Sequence, residues 1–387
     1  MSRSMRTRAS GRYRPEMIAN ALIVGGGIGG MSAAIALRRR GVAVTLIDSD
    51  PHWRVYGAGI SLTGISLRAF ADLGIFEEVC RRGYVSAGMR GRNVAGEEVM
   101  SLPVPDEPAP IDSGGGIMRP VLHDILSTRV RQCGTDIRLG VKVDTLAQDG
   151  DGVDVAFSDG RSGRYDLVVG ADGIFSQIRG MLFPDAARPQ FTGQGCWRVV
   201  GPRPAGVDRA EMYFGGPVKL GFNPVSQDEM YMFILEHVPG NPRFAEDAKL
   251  AHLKALMAPF GGDAAALRDS LTAQTEINYR PLEWLLMPDP WFKGRVVIIG
   301  DAAHATTPHM ASGAGIAAED GLVLAEELAA HADVGDALRA FMARRFERAR
   351  LVVERSVAIG DVEMAGGNPT EANMMIGQSL HELRTPY

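Results

Sequence analysis

The sequence is most informative first in what it has little of. Cysteine is scarce: Cys80, Cys133 and Cys196 are the only three in 387 residues, far apart and without metal-ligand spacing. That excludes a disulfide scaffold or a cysteine metal cluster, suits a reducing compartment, and leaves the thiols to be read as small buried hydrophobes. An excess of charge of one sign is missing too. Lys plus Arg number 41 against 46 acids, a formal net charge of −5, so nothing draws the chain to nucleic acid or an anionic membrane. No run approaches the roughly 18 apolar residues that span a bilayer. Met1–Pro15 carries Arg3, Arg6, Arg8, Arg12 and Arg14 but no acid and no apolar core. It is therefore read as a disordered basic arm rather than a secretory signal, most simply an extension upstream of Met17. Repeats and low-complexity segments are absent. What remains is a cytoplasmic globular protein with 45% hydrophobic residues, enough for a large core in two domains and a small-molecule partner.

Two stretches organise that core. Ile18–Val24 reads as an apolar strand running into Gly25-Gly26-Gly27-Ile28-Gly29-Gly30, an alanine-rich helix over Met31–Arg40 and a second strand, Val42–Asp48. The glycines have G-x-G-x-x-G spacing: Gly25 permits the turn, Gly27 admits a pyrophosphate to the backbone, and Gly30 lets helix and strand pack closely. Asp48 stands where a carboxylate accepts ribose hydroxyls, which favours FAD or NAD over NADP as the bound dinucleotide. The second stretch is Gly294–Asp320. Val296–Ile299 reads as a buried parallel strand ending at Gly300-Asp301, followed by the small-residue loop of Pro308, Gly313, Ala314 and Gly315 and a helix over Ile316–Ala330. Its helix N-terminus favours negative charge in the loop.

Between these, Ser66–Arg82 and Met118–Cys133 have helical periodicity, with Arg119 at the start of the latter. Arg90–Leu102 reads as a strand pair, Pro103–Gly116 as a loop, and Ile137–Val169 as an antiparallel excursion. Asp166–Arg179, DLVVGADGIFSQIR, repeats the strand, turn, helix grammar and brings Asp172 to a second phosphate-proximal loop. From Phe191 to Ile277 aromatic and methionine residues alternate with others, which predicts a separate antiparallel sheet with one helix at Ala248–Pro259. Asp336–Gly366 is a long amphipathic helix.

Three motifs, at Gly25–Gly30, Asp166–Arg179 and Gly300–Gly315, give the chain a resemblance to the class A flavoprotein monooxygenases, the group of para-hydroxybenzoate and salicylate hydroxylases. The resemblance covers Ile18 to about Gly366. It implies an α/β fold: a Rossmann-like FAD-binding domain over 17–185 and 276–335, a second domain on an antiparallel sheet over 186–275 joined by part of 86–105, and C-terminal helices over 336–387. It implies non-covalent FAD held by Gly25, Gly27, Ile28, Gly29, Asp48, Arg119, Val143, Asp172, Asp301, Ala311, Gly313 and Ala314, with Pro308 beside the oxygen-reactive carbon. NADH or NADPH would serve as transient co-substrate, in keeping with a single dinucleotide fingerprint. Tyr213 would contact a phenol, Asn223 and Tyr231 would share its neighbourhood, and Arg198 would bind an acidic substrate or close over the flavin.

The implied reaction is hydroxylation of an aromatic or heteroaromatic small molecule by dioxygen through a flavin hydroperoxide, in a monomer or homodimer without metal. The alternatives are a flavin oxidase, or a monooxygenase of a non-aromatic, polyketide-like substrate. Two departures from the family pattern border the flavin and substrate: Gly64-Ile65 where relatives have Pro-Asn, and Ala311-Ser312-Gly313 where Gly-Gln-Gly is frequent.

Overall fold

The computed structural model describes residues 18–55, 57–102, 109–366 and 369–387. The basic arm, Tyr56 and the first part of the expected loop after Leu102 lie outside the described residues. A six-stranded sheet carries the first half of the architecture, in the order Phe292–Lys293, Val296–Ile298, Leu167–Gly170, Asn20–Val24, Ala43–Asp48, Asp136–Leu139. All its pairings are parallel except that of the two-residue edge strand. Its central strands are unbroken apolar runs because helices cover both faces; Leu167, Val168, Val296, Val297 and Ile298 are fully buried. Helix Ile28–Arg39 follows the first strand through the glycine turn. Gly30 is needed for packing there, since a Cβ at that position would lie 2.0 Å from the Gly25 carbonyl oxygen. The same helix crosses helix Gly313–Ala330 closely, with Gly321 against the Ala33 backbone.

A seven-stranded sheet forms the second half, in the order Asn278–Trp284, Gln190–Pro202, Glu229–His237, Lys219–Pro224, Ala210–Tyr213, Met89–Arg92, Glu98–Ser101. Register fixes its two faces. The row Tyr279, Trp197, Ile234, Leu220, Tyr213 runs across five strands and packs against Leu253, Met257, Phe260, Ala264 and Leu267. These come from or adjoin helices Glu246–Met257 and Gly262–Ser270. The alternate rows, with Arg198 beside Phe233 and Gly221 beside Met212, look the other way, toward the first sheet. Gly114–Met118, expected to begin in a loop, is instead the middle strand of a small antiparallel sheet with Gly59–Leu62 and Tyr84–Ser86. Val143–Gln148, Val153–Phe157 and Ser162–Tyr165 form the antiparallel excursion, which is shorter than expected because Asp136–Leu139 and Leu167–Gly170 at its two ends belong to the parallel sheet. Helix Val334–Met364, capped by the Asp333 side chain at the Asp336 amide, and helix Pro369–Glu382 close the molecule. The cysteines are unpaired: Cys196 is buried, but Cys80 is exposed rather than a core residue.

Candidate active site

A cavity of about 1540 Å³ lies between the two sheets. That exceeds the 300–1,000 Å³ or so usual for one small ligand, so it has room for a dinucleotide and a second molecule. One wall is the glycine turn. Gly25 turns at φ +105 and donates its amide to the Ile47 carbonyl at 2.8 Å. Gly27, Ile28 and Gly29 face the cavity, and no side chain caps the helix that starts there. Its first N–H groups remain available to an anion. Asp48 braces the turn: its Oδ2 accepts the Gly26 amide at 2.8 Å and its Oδ1 the Asp50 amide at 2.8 Å.

A second wall is built by the strand that ends at Gly300. Asp301 is exposed to the cavity, with the fold crowding round it. Burial pushes its carboxyl up from the usual range, and His304 and Arg119 oppose that rise. Pro308 begins a 3-10 turn, Ala311 follows at φ +48, and Gly313 and Ala314 open the next helix; all four line the cavity. The third wall is the sheet face with Cys196, Arg198, Asn223 and Tyr231. Arg119, from the neighbouring helix start, also lines the cavity. Burial lowers its pKa, Arg198 lowers it further, and Asp301 counteracts. Neither guanidinium has a hydrogen bond or ion pair with a described residue.

The expected site residues thus divide. Gly27, Ile28, Gly29, Arg119, Arg198, Asn223, Tyr231, Asp301, Pro308, Ala311, Gly313 and Ala314 converge on the cavity. Asp48 stands behind the glycine turn. Val143 is in the core, with its carbonyl accepting Gln177 Nε2 at 2.8 Å. Asp172 accepts the Gln177 and Ile178 amides at the start of helix Gln177–Leu182 at 2.7 and 3.0 Å, beside the Ser176 cap, so its carboxylate is occupied within the protein. Tyr213 needs a correction. It sits edge-on to Phe222 and Phe260 in the helix-covered layer. Strand alternation gives the cavity to its neighbour Met212 instead. Asn223 and Tyr231 are not free-standing either: Asn223 Nδ2 donates to Ser61 Oγ at 2.7 Å, and Ser61 Oγ also bonds the Tyr231 hydroxyl. Ser61, on a strand from the other half of the chain, had no signal in the sequence.

The residues present fit an FAD. Free amides for a pyrophosphate, an unpaired arginine, a carboxylate open to the cavity for ribityl hydroxyls, and a second helix N-terminus all face the same space. Among the described residues no helix is long and apolar enough to cross a membrane, and no group of three or more His, Cys, Asp or Glu is placed to hold a metal ion.

Residues 19–356 match the family described as FAD binding domain. The Bacillus subtilis protein YetM, named as an FAD-dependent monooxygenase, is 33% identical over 368 residues, covering 95% of this chain and 99% of its own. The 2-heptyl-3-hydroxy-4(1H)-quinolone synthase of Pseudomonas aeruginosa is 32% identical, with 88% of each chain covered. In fold, the chain is similar to Klebsiella pneumoniae HpxO crystallised with FAD and uric acid, with a TM-score of 0.80 and 24% identity over 96% of this chain and 94% of that one. With two separate sheets enclosing a dinucleotide-sized cavity, and with relatives matched over nearly the whole length, the chain belongs to the FAD binding domain family, among the FAD-dependent monooxygenases of class A.

Proposed function

We propose that this enzyme uses NAD(P)H and dioxygen to hydroxylate an acidic heteroaromatic ring, held by Arg198. Bound FAD supplies the passage of electrons from NAD(P)H to dioxygen and the transfer of one oxygen atom. The protein binds, orients and excludes water. In this reading Gly27–Gly29 would hold the pyrophosphate, Asp301 and Arg119 the ribityl region, and Pro308 with Ala311–Ala314 the ring system, all of them residues that line the cavity.

The observation that carries the substrate class is Arg198. It projects from the sheet face into the cavity and has no carboxylate partner among the described residues. A guanidinium left unpaired in a closed site is matched by an anion from outside the chain. Two of the relatives support a nitrogen heterocycle, since one is named for a quinolone and the other was crystallised with uric acid.

The test is a library of acidic and neutral heteroaromatic compounds, screened on the FAD-loaded enzyme for stimulated NAD(P)H oxidation, with hydrogen peroxide and ¹⁸O incorporation measured. Stimulation by acidic members with ¹⁸O in the product supports the reading. Peroxide alone from every compound points to an oxidase. Arg198→Met should weaken binding of an acidic ring about ten- to hundredfold, the worth of a charged hydrogen bond, and leave a neutral analogue unaffected.

A further inference from the structure

With Tyr213 turned away, some other group must take the proton of a ring hydroxyl or ring N–H. Thr307 lines the cavity beside Pro308, and its Oγ1 lies 2.8 Å from His309 Nδ1. The His309 side chain is completely buried, and its Nε2 lies 3.5 Å from Glu363 Oε2. Both of those atoms lack a hydrogen-bond partner. Glu363 comes from the last turn of helix Val334–Met364, and its other oxygen holds Lys219 Nζ at 2.5 Å. Gly360 makes the meeting possible. A Cβ there would stand 3.1 Å from His309 Nε2 and 2.9 Å from Gln194 Oε1, a third buried atom without a partner. Unpaired buried polar atoms are uncommon and costly, and here three crowd one notch.

The direction of the chain follows from donor chemistry. A carboxylate only accepts, so the nitrogen facing Glu363 carries the hydrogen. Nδ1 of the neutral ring is then the acceptor, and Thr307 is its donor. Burial, and next the Lys219 charge, push His309 down to about 3, so the ring is neutral at ordinary pH. Thr307 Oγ1 therefore offers the cavity lone pairs only. The groups that face His309 are Thr307 on its own segment, Glu363 on the long helix, and Lys219 and Gln194 on the sheet.

We propose that Thr307, His309 and Glu363 form a hydroxyl, imidazole and carboxylate relay that accepts the proton of the substrate's acidic O–H or N–H. The inference rests on the aromatic-substrate reading above. In the step, the substrate O–H or N–H bond breaks and its proton bonds to Thr307 Oγ1. The Thr307 proton passes to His309 Nδ1, and the Nε2 proton passes to Glu363 Oε2 once the 3.5 Å gap between those atoms tightens to a hydrogen bond around bound substrate. The substrate keeps the electron pair and becomes a richer nucleophile. The imidazole exchanges one tautomer for the other and never carries a net charge, so its weak basicity is no obstacle. The reverse passage returns the proton to the product and resets the relay.

Two measurements on FAD-loaded protein test this. The first needs no ligand: ¹⁵N spectra of histidine-labelled protein, with His309 assigned by His309→Gln, should show a neutral Nε2–H ring from about pH 5 to 8. An Nδ1–H ring or an imidazolium in that window reverses the chain and overturns the proposal. The second uses 4-nitrophenol, whose phenolate is followed by visible absorbance. Bound to the wild type it should ionise at a pH lower by about one unit, a tenfold shift, than in solution. Thr307→Val and Glu363→Gln should each abolish the shift, and Thr307→Ser should keep it. Ionisation of the bound probe that none of these variants moves defeats the relay and leaves the aromatic reading standing. A probe that does not bind at all counts against the aromatic reading, and the relay falls with it.

Discussion

The Asp301 carboxylate opens into the cavity and accepts no hydrogen bond from a described residue, so its natural donors are the hydroxyls of a bound cofactor. A hydrogen bond to a charged group is worth about 1.5–3 kcal/mol, so Asp301→Ala should weaken FAD binding about ten- to hundredfold, read by quenching of flavin fluorescence. Unchanged affinity would move the ribityl chain elsewhere. Tyr213 calls for the opposite expectation. Its hydroxyl is buried with no hydrogen bond of good geometry, and burial raises its pKa to about 12 against a weaker opposing pull from the Ala264 backbone. Removing an unsatisfied hydroxyl from an apolar layer costs little, so Tyr213→Phe should change stability by less than about 1 kcal/mol in a denaturant titration and leave hydroxylation coupled. Uncoupled peroxide release by that variant would put Tyr213 back in the site. Ala311 has a residue-scale consequence of its own. Left-handed backbone costs a residue with a Cβ about 1–2 kcal/mol, and the flexibility of glycine in the unfolded chain takes back about 0.5–1. Because Ala311 sits at φ +48, Ala311→Gly should raise the melting temperature slightly, at a turn where the family pattern already favours glycine.

At the scale of elements, helices Gly313–Ala330 and Val334–Met364 are joined to the turn at Gly300–His304 by buried charge. Asp320 Oδ2 accepts the Gly300 amide at 2.9 Å and His304 Nε2 at 2.5 Å, while Oδ1 accepts Arg345 Nε at 2.8 Å. Arg345 continues to Glu319 and to the Ile316 carbonyl. Burial alone would raise the Asp320 carboxyl, but His304 and then Arg345 outweigh it and hold the group below its usual range. A carboxyl with a lowered folded-state pKa contributes stability above its unfolded value, near 3.9, and loses it as pH falls through the folded value. Acid unfolding should therefore steepen below about pH 4. Asp320→Asn removes one of the two buried carboxylates that hold Arg345, leaving Glu319 as its remaining partner, and should cost about 3 kcal/mol at neutral pH, with less dependence on acid; equal acid profiles for the two proteins would exclude Asp320 as a source. This network also marks how far the sequence could be read. The glycine turn, the Gly300-Asp301 stop and the long helix Val334–Met364 are legible because each depends on neighbouring residues. Strand Gly114–Met118 was hidden because its three glycines read as loop, and helix Gly262–Ser270 because it opens on Gly261-Gly262. Tyr213 was assigned to the wrong face because alternation says only that neighbours differ, and the partner strands decide which one turns inward. Thr307, His309 and Glu363 meet only after the long helix packs back on the sheet, a contact that no local pattern encodes.

At the scale of the whole molecule, the cavity is where two sheets with separate cores meet, so a cofactor bound in it, as proposed, would bridge them. The first sheet has its own apolar core with helices Ile28–Arg39 and Gly313–Ala330, and the second has another on its far face under helices Glu246–Met257 and Gly262–Ser270. Contacts around the cavity include the Ser61, Asn223 and Tyr231 cluster, the Lys219–Glu363 ion pair and the close approach of Gly59 to Tyr231 and Val225. A ligand that binds only the folded state stabilises it by about 2.7 kcal/mol at a hundredfold excess over its dissociation constant. The walls it touches should be stabilised locally as well. Hydrogen exchange with and without FAD should then show protection gained at Gly25–Met31 and at Gly300–Ile316, both of which border the cavity. Helices Glu246–Met257 and Gly262–Ser270, a full sheet away, should change little beyond the global shift. Equal protection everywhere would mean that the two halves open only together, and the cofactor would then hold the molecule as one cooperative unit rather than bridge two.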